Sequence, residues 1–389
     1  MKKLMCFVTV IDLRLETAGA VINDLKLLRC LRKFGKVDVV SLQKKRFKST
    51  LIALPHFFFQ VFGTFARPYE LYISRGLVAS FVLLLLRLLH RKKVVHRNLF
   101  GASFASSETK YLFRETRYVS YIRFGSLLRH LLYRFIEKTI LLSADAVTVA
   151  TPEYADELVQ IGVKPDRIKI IPFYVEKEFF QQPFSSNTSD TFTFGYAGNF
   201  QPYHELLPLV EAFELVSRAN KRIRLVLVGD GPLRPWVEAE VKSRRLTDKV
   251  KFSGRVPHKA LPSILSKFDA FVVLIRTTGI STSLLEAAAA GKVIITYKRE
   301  NDPALSRFFK HMQHIYMVES LSAAKIAATM QLICSDSKLR KALSKGARQV
   351  AQEYFSEEYT IRHVQQLMCR VLRDCSIPAL VTDRDKLQS

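Results

Sequence analysis

At 389 residues, with 48% hydrophobic and 24% charged side chains, the chain has the composition of a folded protein too long for one core, which excludes a disordered class and predicts two domains. Sixty Lys and Arg against 35 Asp and Glu leave a formal charge of +25, which implies an anionic partner: nucleic acid, a membrane surface or a phosphorylated substrate. The five cysteines (Cys6, Cys30, Cys334, Cys369, Cys375) make no metal-type pairs and are odd in number, which fits a reducing cytoplasm rather than a disulfide framework.

The N-terminal part alternates strand and helix, the signature of a parallel sheet covered on both faces. MKKLMCFVTVIDLRLE turns charged after about eight apolar positions, so it reads as a first strand, LMCFVTVI, and not as a cleavable signal. Gly19 lies in the turn before a helix, AVINDLKLLRCLRKF, that stops at Gly35, and VDVVSL is the second strand. Next come YELYISR (69–75), a helix over 77–90, KKVVHRN (92–98), an amphipathic helix over 127–144, DAVTVAT (145–151), a short helix and RIKIIPFY (167–174). His96 stands at the carboxyl end of its strand, where crevice ligands sit. A lone histidine there is either structural or in touch with substrate.

From residue 26 to 138 there are 23 basic and 5 acidic residues, interleaved with apolar runs such as LPHFFFQVFGTF (54–65) and LVASFVLLLLRLLHRKK (77–93). The 13 residues from Leu77 to Leu89 fall short of the roughly 20 needed to span a bilayer. They form either an ordinary core helix or part of a face resting on an anionic bilayer.

KEFFQQPFSSNTSDT (177–191) has no period and reads as a linker, giving domains over 1–178 and 179–355 and a C-terminal helix with a tail over 356–389. The alternation then restarts with TFGYAG, ELLPLVEAFELVSRA, RLVLVGDG, RPWVEAEVKSRRL, KVKFSG and KALPSILSKF. The stretch FVVLIRTTGISTSLLEAAAAGKVIIT (271–296) is a buried strand, a Gly-led turn at Gly279, a small-residue helix capped by Ser281, Thr282 or Ser283, and a second buried strand. A helix starting at the carboxyl end of a parallel strand points unpaired N–H groups and its positive dipole end into the ligand crevice, a ready phosphate site. Glu286, one and a half turns into that helix, can reach ribose hydroxyls. Two such α/β halves are expected to leave a cleft that closes on its ligands.

FGYAGNFQPYHELLPLVEAF (194–213), LVLVGDGP (225–232), VKFSGRVPHKALPSILSKFDAFVV (250–273) and GISTSLLEAAAAGKVII (279–295) resemble the retaining glycosyltransferases of GT-B fold, family 4 or group 1. The first half looks like the acceptor domain of that family, with IPFYVE (171–176) where relatives have Pro-Asn-Gly-Val-Asp. The resemblance implies two Rossmann-like doubly wound domains and transfer of a sugar from a nucleotide diphosphate sugar, with no metal and no cofactor beyond that donor. It implies donor contacts at Gly19, Gly198, Asn199, His204, Gly229, Arg255, Val256, Gly279, Ile280, Ser281, Thr282, Ser283 and Glu286, with His96, Thr278 and Arg276 at the reacting centre.

Three departures weaken the set. Thr278 stands where relatives have a sugar-holding Glu, and Asn199 and His204 stand where they have Arg and Lys on the diphosphate. Losing one charged donor costs on the order of 2 to 4 kcal/mol of transition-state stabilisation, so Arg276 or Arg255 is expected to supply the missing charge. Combined with the basic, aromatic first half, the resemblance implies a saccharide or lipid-linked acceptor at the cytoplasmic face of an anionic membrane. The departures equally fit a non-catalytic glycosyltransferase-like subunit. No nucleic-acid motif is present, and no nucleic acid is expected as partner.

Overall fold

The computed structural model of the chain describes residues 3–9, 19–41, 57, 59–64, 67–75, 79–80, 83–84, 93–97, 125–183, 191–276, 279–299 and 303–373. These fall into two compact units: the first runs to Tyr174 and is rejoined by the chain from Glu358, and the second is Val175–Glu357. Among the described residues no helix is long and apolar enough to cross a membrane.

The first unit is a six-stranded parallel sheet of β1 (Lys3–Thr9), β2 (Gly35–Ser41), β3 (Leu71–Arg75), β4 (Lys93–Arg97), β5 (Ala146–Val149) and β6 (Ile168–Ile170), in the order β2-β1-β3-β4-β5-β6. β3 and β5 are buried along their whole length, as strands covered on both faces must be. Side chains alternate between the faces: Met5 and Phe7 pack with helices Gly19–Arg32 and Glu357–Leu372, whereas Cys6 and Val8 pack with Phe57, Val61, Leu83 and Ile140. The described part of the apolar run 77–90, Ala79–Ser80 and Leu83–Leu84, is helical and buried in that second core, matching the core-helix alternative.

Helix Glu357–Leu372 joins this unit through Ile361, Val364, Leu367, Met368 and Val371, a stripe at helical spacing. Polar ties add to it, from Thr360 Oγ1 to the Pro172 carbonyl (3.3 Å) and from Arg370 Nη1 to the Asp166 carbonyl (2.7 Å).

The second unit repeats the plan with β7 (Phe192–Ala197), β8 (Ile223–Val228), β9 (Val250–Gly254), β10 (Ala270–Val273), β11 (Val293–Tyr297) and β12 (Tyr316–Val318), in the order β12-β11-β10-β7-β8-β9. Strand order reverses between β7 and β10, and the crevice outside their carboxyl ends is where open α/β sheets bind ligands. Gly195 in β7 lets the Phe268 ring lie directly against the strand, since a Cβ there would stand 2.0 Å from the ring. The linker predicted over 177–191 needs correcting at its start. Lys177–Phe180 is a short helix, and Phe179 is buried with its ring 5.6 Å from that of His258, because two adjacent aromatics gain more by packing than by solvation. Residues 184–190 of that stretch lie outside the described residues.

One buried charge cluster stands out in the first unit. Asp24 of helix Gly19–Arg32 is enclosed by Arg75 and Arg97, the last residues of β3 and β4: Arg75 bonds one carboxylate oxygen, and Arg97 Nε lies 3.3 Å from the other. Burial raises the Asp24 pKa against the pull of both guanidiniums, and burial lowers Arg97 to about 10. Two buried cations therefore share one anion. Asp24→Asn is expected to destabilise the unit by about 3–5 kcal/mol, read as a lower urea midpoint.

Candidate functional site

The crevice edge of the second unit is built from main chain. The loops leaving β7, β8 and β9 are stitched by Gly198 N to Val228 O (3.0 Å), Phe200 N to Asp230 O (3.1 Å) and Gly229 N to Gly254 O (2.8 Å). Gly229 has φ +126°, and a Cβ there would stand 1.8 Å from the Gly198 carbonyl oxygen, so Gly-Asp-Gly at 229–231 is required by backbone approaching backbone. Across the switch point the β7 loop reaches the β10 loop. Glu205 N bonds Leu274 O (2.9 Å), Arg276 N bonds Tyr203 O (3.1 Å), and His204 and Ile275 form an isolated bridge.

Helix Thr282–Ala289 starts at this edge. The Ser281 hydroxyl accepts from Leu284 N (3.1 Å), and the Ser281 carbonyl accepts from Leu285 N (3.2 Å). The amides of Thr282 and Ser283 have no hydrogen-bond partner among the described residues. Gly279 (φ +90°), Ile280, Ser281, Thr282 and Ser283 are half-buried, so the helix start is open to solvent. Arg299, just beyond β11, holds the loop by donating from Nη2 to the Gly279 carbonyl (2.7 Å) and from Nη1 to the Ile275 carbonyl (3.3 Å). Sequence reasoning missed it. The available signal was a cation two residues past a buried strand, on the ligand edge of the sheet.

Glu286 lies inside the helix with 4% of its surface exposed. His258, in the turn His258–Ala260 after β9, donates from Nε2 to Glu286 Oε1 at 2.7 Å, and its Nδ1 faces Glu176 Oε1 at 3.9 Å. Glu176, His258 and Glu286 could each offer a metal-ligand atom, all within 4.8 Å of one another. Ligands sharing one zinc stand roughly 3.4 Å apart, however, so the 2.7 Å contact is a hydrogen bond and the set is not spaced for a metal as it stands.

The side chains expected around the diphosphate differ in their surroundings. His204 is buried, its Nδ1 hydrogen-bonded to the Tyr196 hydroxyl, which also donates to the Asn199 carbonyl (2.8 Å). Burial lowers its pKa to about 4, so it is neutral at pH 7, in keeping with the loss of charge expected where relatives carry a Lys. Arg276 donates from Nε to the Glu205 carboxylate, so its charge is already opposed. Arg255 is 67% exposed at its side chain, with Nε 3.9 Å from Asp230, next to half-buried Val256. Asn199 is exposed and Gly198 half-buried. Thr278 lies outside the described residues.

In the first unit, Gly19 is the first residue of its helix rather than part of the preceding turn. His96 is buried in β4 with Nδ1 2.6 Å from Ser80 Oγ, and burial lowers it to about 4. The expectation of a ring open to the reacting sugar is thus corrected on its Nδ1 side, which is taken by the serine.

Both buried histidines bind their proton more weakly folded than unfolded, where a pKa near 6.5 holds. Between about pH 6.5 and 4 the unfolded chain therefore takes up more protons, and the native state loses stability as pH falls, by on the order of 3 kcal/mol per site. Unfolding free energies from pH 7 to 4 should decline accordingly, and His204→Gln should flatten part of the slope.

Residues 30–173 match the model of the glycosyl transferase 4-like domain, and residues 177–350 the model of the glycosyl transferases group 1. The chain is 25% identical over 183 residues to the 2-deoxystreptamine glucosyltransferase of Streptomyces kanamyceticus, covering 44% of this chain and 47% of that protein. It is 27% identical over 216 residues to a lipopolysaccharide core biosynthesis glycosyltransferase of Rhizobium meliloti, covering 54% and 59%. The chain thus spans about half the length of these curated relatives. In fold it resembles the Anabaena protein HepE, solved with UDP and glucose, at TM-score 0.72 and 14% identity over 94% of this chain and 99% of that one. Two parallel Rossmann-like sheets and two adjoining family models covering most of its length lead to one conclusion: the chain belongs to the group 1 glycosyltransferases of GT-B fold.

Proposed function

We propose that the chain is a retaining hexosyltransferase that moves a sugar from a nucleotide diphosphate sugar to a saccharide or lipid-linked acceptor, in surface polysaccharide or glycolipid assembly. The observation that carries this is the open start of helix Thr282–Ala289, where the amides of Thr282 and Ser283 lie beside Gly279 at the carboxyl end of β10. These amides and the helix dipole hold the diphosphate, and Glu286 accepts from the ribose. The acceptor hydroxyl attacks the anomeric carbon from the side on which the diphosphate departs. The bond to the phosphate oxygen breaks as the new glycosidic bond forms, and a leaving phosphate oxygen takes the hydroxyl proton. Neither a metal nor a general base has a part. Arg299, at the edge of the Gly279 loop, is better placed than Arg276 or Arg255 to balance the leaving charge.

Neutral His204 and the Arg276–Glu205 pair also favour a second reading, a non-catalytic subunit that keeps the nucleotide pocket. Release of sugar from a panel of nucleotide sugars separates the two, since only the enzyme turns them over.

The acceptor is proposed to lie at the cytoplasmic face of an anionic membrane. Phe59, Phe62 and Phe135 are exposed on helical segments that share one core, and Arg134 and Lys138 are exposed beside Phe135 in sequence.

Three outcomes are expected. In a thermal-shift screen of UDP, GDP, ADP and their sugars, one nucleotide at a hundredfold excess over its Kd stabilises the chain by about 2.7 kcal/mol. Glu286→Gln raises the KM for that donor about tenfold with little change in kcat. Vesicles containing anionic lipid should float the protein where zwitterionic ones do not, and the triple change of Phe59, Phe62 and Phe135 to Ser should abolish flotation. Equal binding to both vesicle types would count against the membrane assignment.

A further inference from the structure

Glu286 is a buried carboxylate whose two oxygens differ. Oε1 accepts from His258 Nε2 at 2.7 Å, while Oε2 has no hydrogen-bond partner among the described residues and is absent from the buried oxygens left unsatisfied, so it is the one that reaches solvent. The imidazole that holds Oε1 is itself held. Its ring packs at 5.6 Å from buried Phe179, and its Nδ1 faces Glu176 Oε1 at 3.9 Å, too far for a hydrogen bond. Three segments far apart in sequence converge here: 176–179 at the start of the second unit, 258 after β9, and 286 in the helix that opens the crevice.

A glutamate has three side-chain torsions, and fixing them when ligand arrives costs affinity. A single charge-assisted hydrogen bond to one oxygen fixes them beforehand and leaves the second oxygen aimed outward. A carboxylate oxygen only accepts, so what it selects is a hydroxyl donor.

We propose that His258 is a positioning residue for Glu286, and that this His–Glu dyad gives the chain its preference for a ribose over a deoxyribose nucleotide. The inference rests on the donor-site reading above. His258 touches no substrate. It acts by holding the carboxylate that does, and the ring of Phe179 in turn holds His258.

The test is calorimetric titration of UDP, GDP and ADP, each beside its 2′,3′-dideoxy counterpart, into the full chain. The unaltered chain should bind one ribonucleotide at least tenfold more tightly than the dideoxy form. His258→Phe, which keeps an aromatic ring against Phe179, should weaken the ribonucleotide about tenfold and leave the dideoxy form unchanged, so the preference collapses. His258→Gln, whose amide can still donate to Oε1, should restore most of it. If His258→Phe does not fold, His258→Asn, too short to reach the carboxylate, takes its place.

A preference retained in these variants, or equal loss for both nucleotides, overturns the role given to His258. So does a wild-type chain that binds nucleotide without preference. Failure of the wild-type chain to bind any of the three diphosphates overturns the donor-site reading itself.

Discussion

An α-helix cannot satisfy its own first amides, and much of the second unit is arranged around where those of helix Thr282–Ala289 are left. Ser281 takes up the amides of Leu284 and Leu285 and leaves those of Thr282 and Ser283. Placing that end at the carboxyl terminus of β10, beside the reversal of strand order, puts the unsatisfied donors where a parallel sheet leaves a crevice. The neighbouring loops then have to approach by backbone alone. Gly229 against the Gly198 carbonyl and Arg299 on the Gly279 carbonyl are consequences of that crowding.

Charge is distributed by a different rule. The chain carries a formal +25, yet the cations near the crevice are mostly engaged: Arg276 by Glu205 and Arg299 by two carbonyls, while His204 is neutral through burial. In the first unit two arginines are drawn inside around Asp24. Positive residues thus serve the fold in several places where composition alone would assign them to an anionic partner. What remains outward, such as Arg134 and Lys138 near Phe135, is the part that can meet an anionic surface.

The alternation of buried strands and amphipathic helices was legible because period 2 and period 3.6 leave different marks, and those marks survive without any knowledge of neighbours. Strands such as β7, β9 and β11 fall within a residue or two of their expected positions for that reason. Gly279 was legible as the lead of a turn, and it has a positive φ, whereas Gly229, also at positive φ, entered only through the family resemblance. The Lys177–Phe180 helix was not, since four residues carry no period and only a distant partner, the His258 ring, gives Phe179 something to bury against.

The sequence by itself determined two α/β halves, a Ser-capped helix on a Gly-led turn, and Glu286 within reach of the crevice, because each depends on residues close together in the chain. Only the tertiary structure decided which side chains carry charge or hold others in place. Whether His204 is protonated, whether Arg276 is free, that Arg299 grips the Gly279 loop and that His258 grips Glu286 all turn on burial and on partners tens of residues away. Desolvation and pairing are properties of an environment that exists only once the chain has folded.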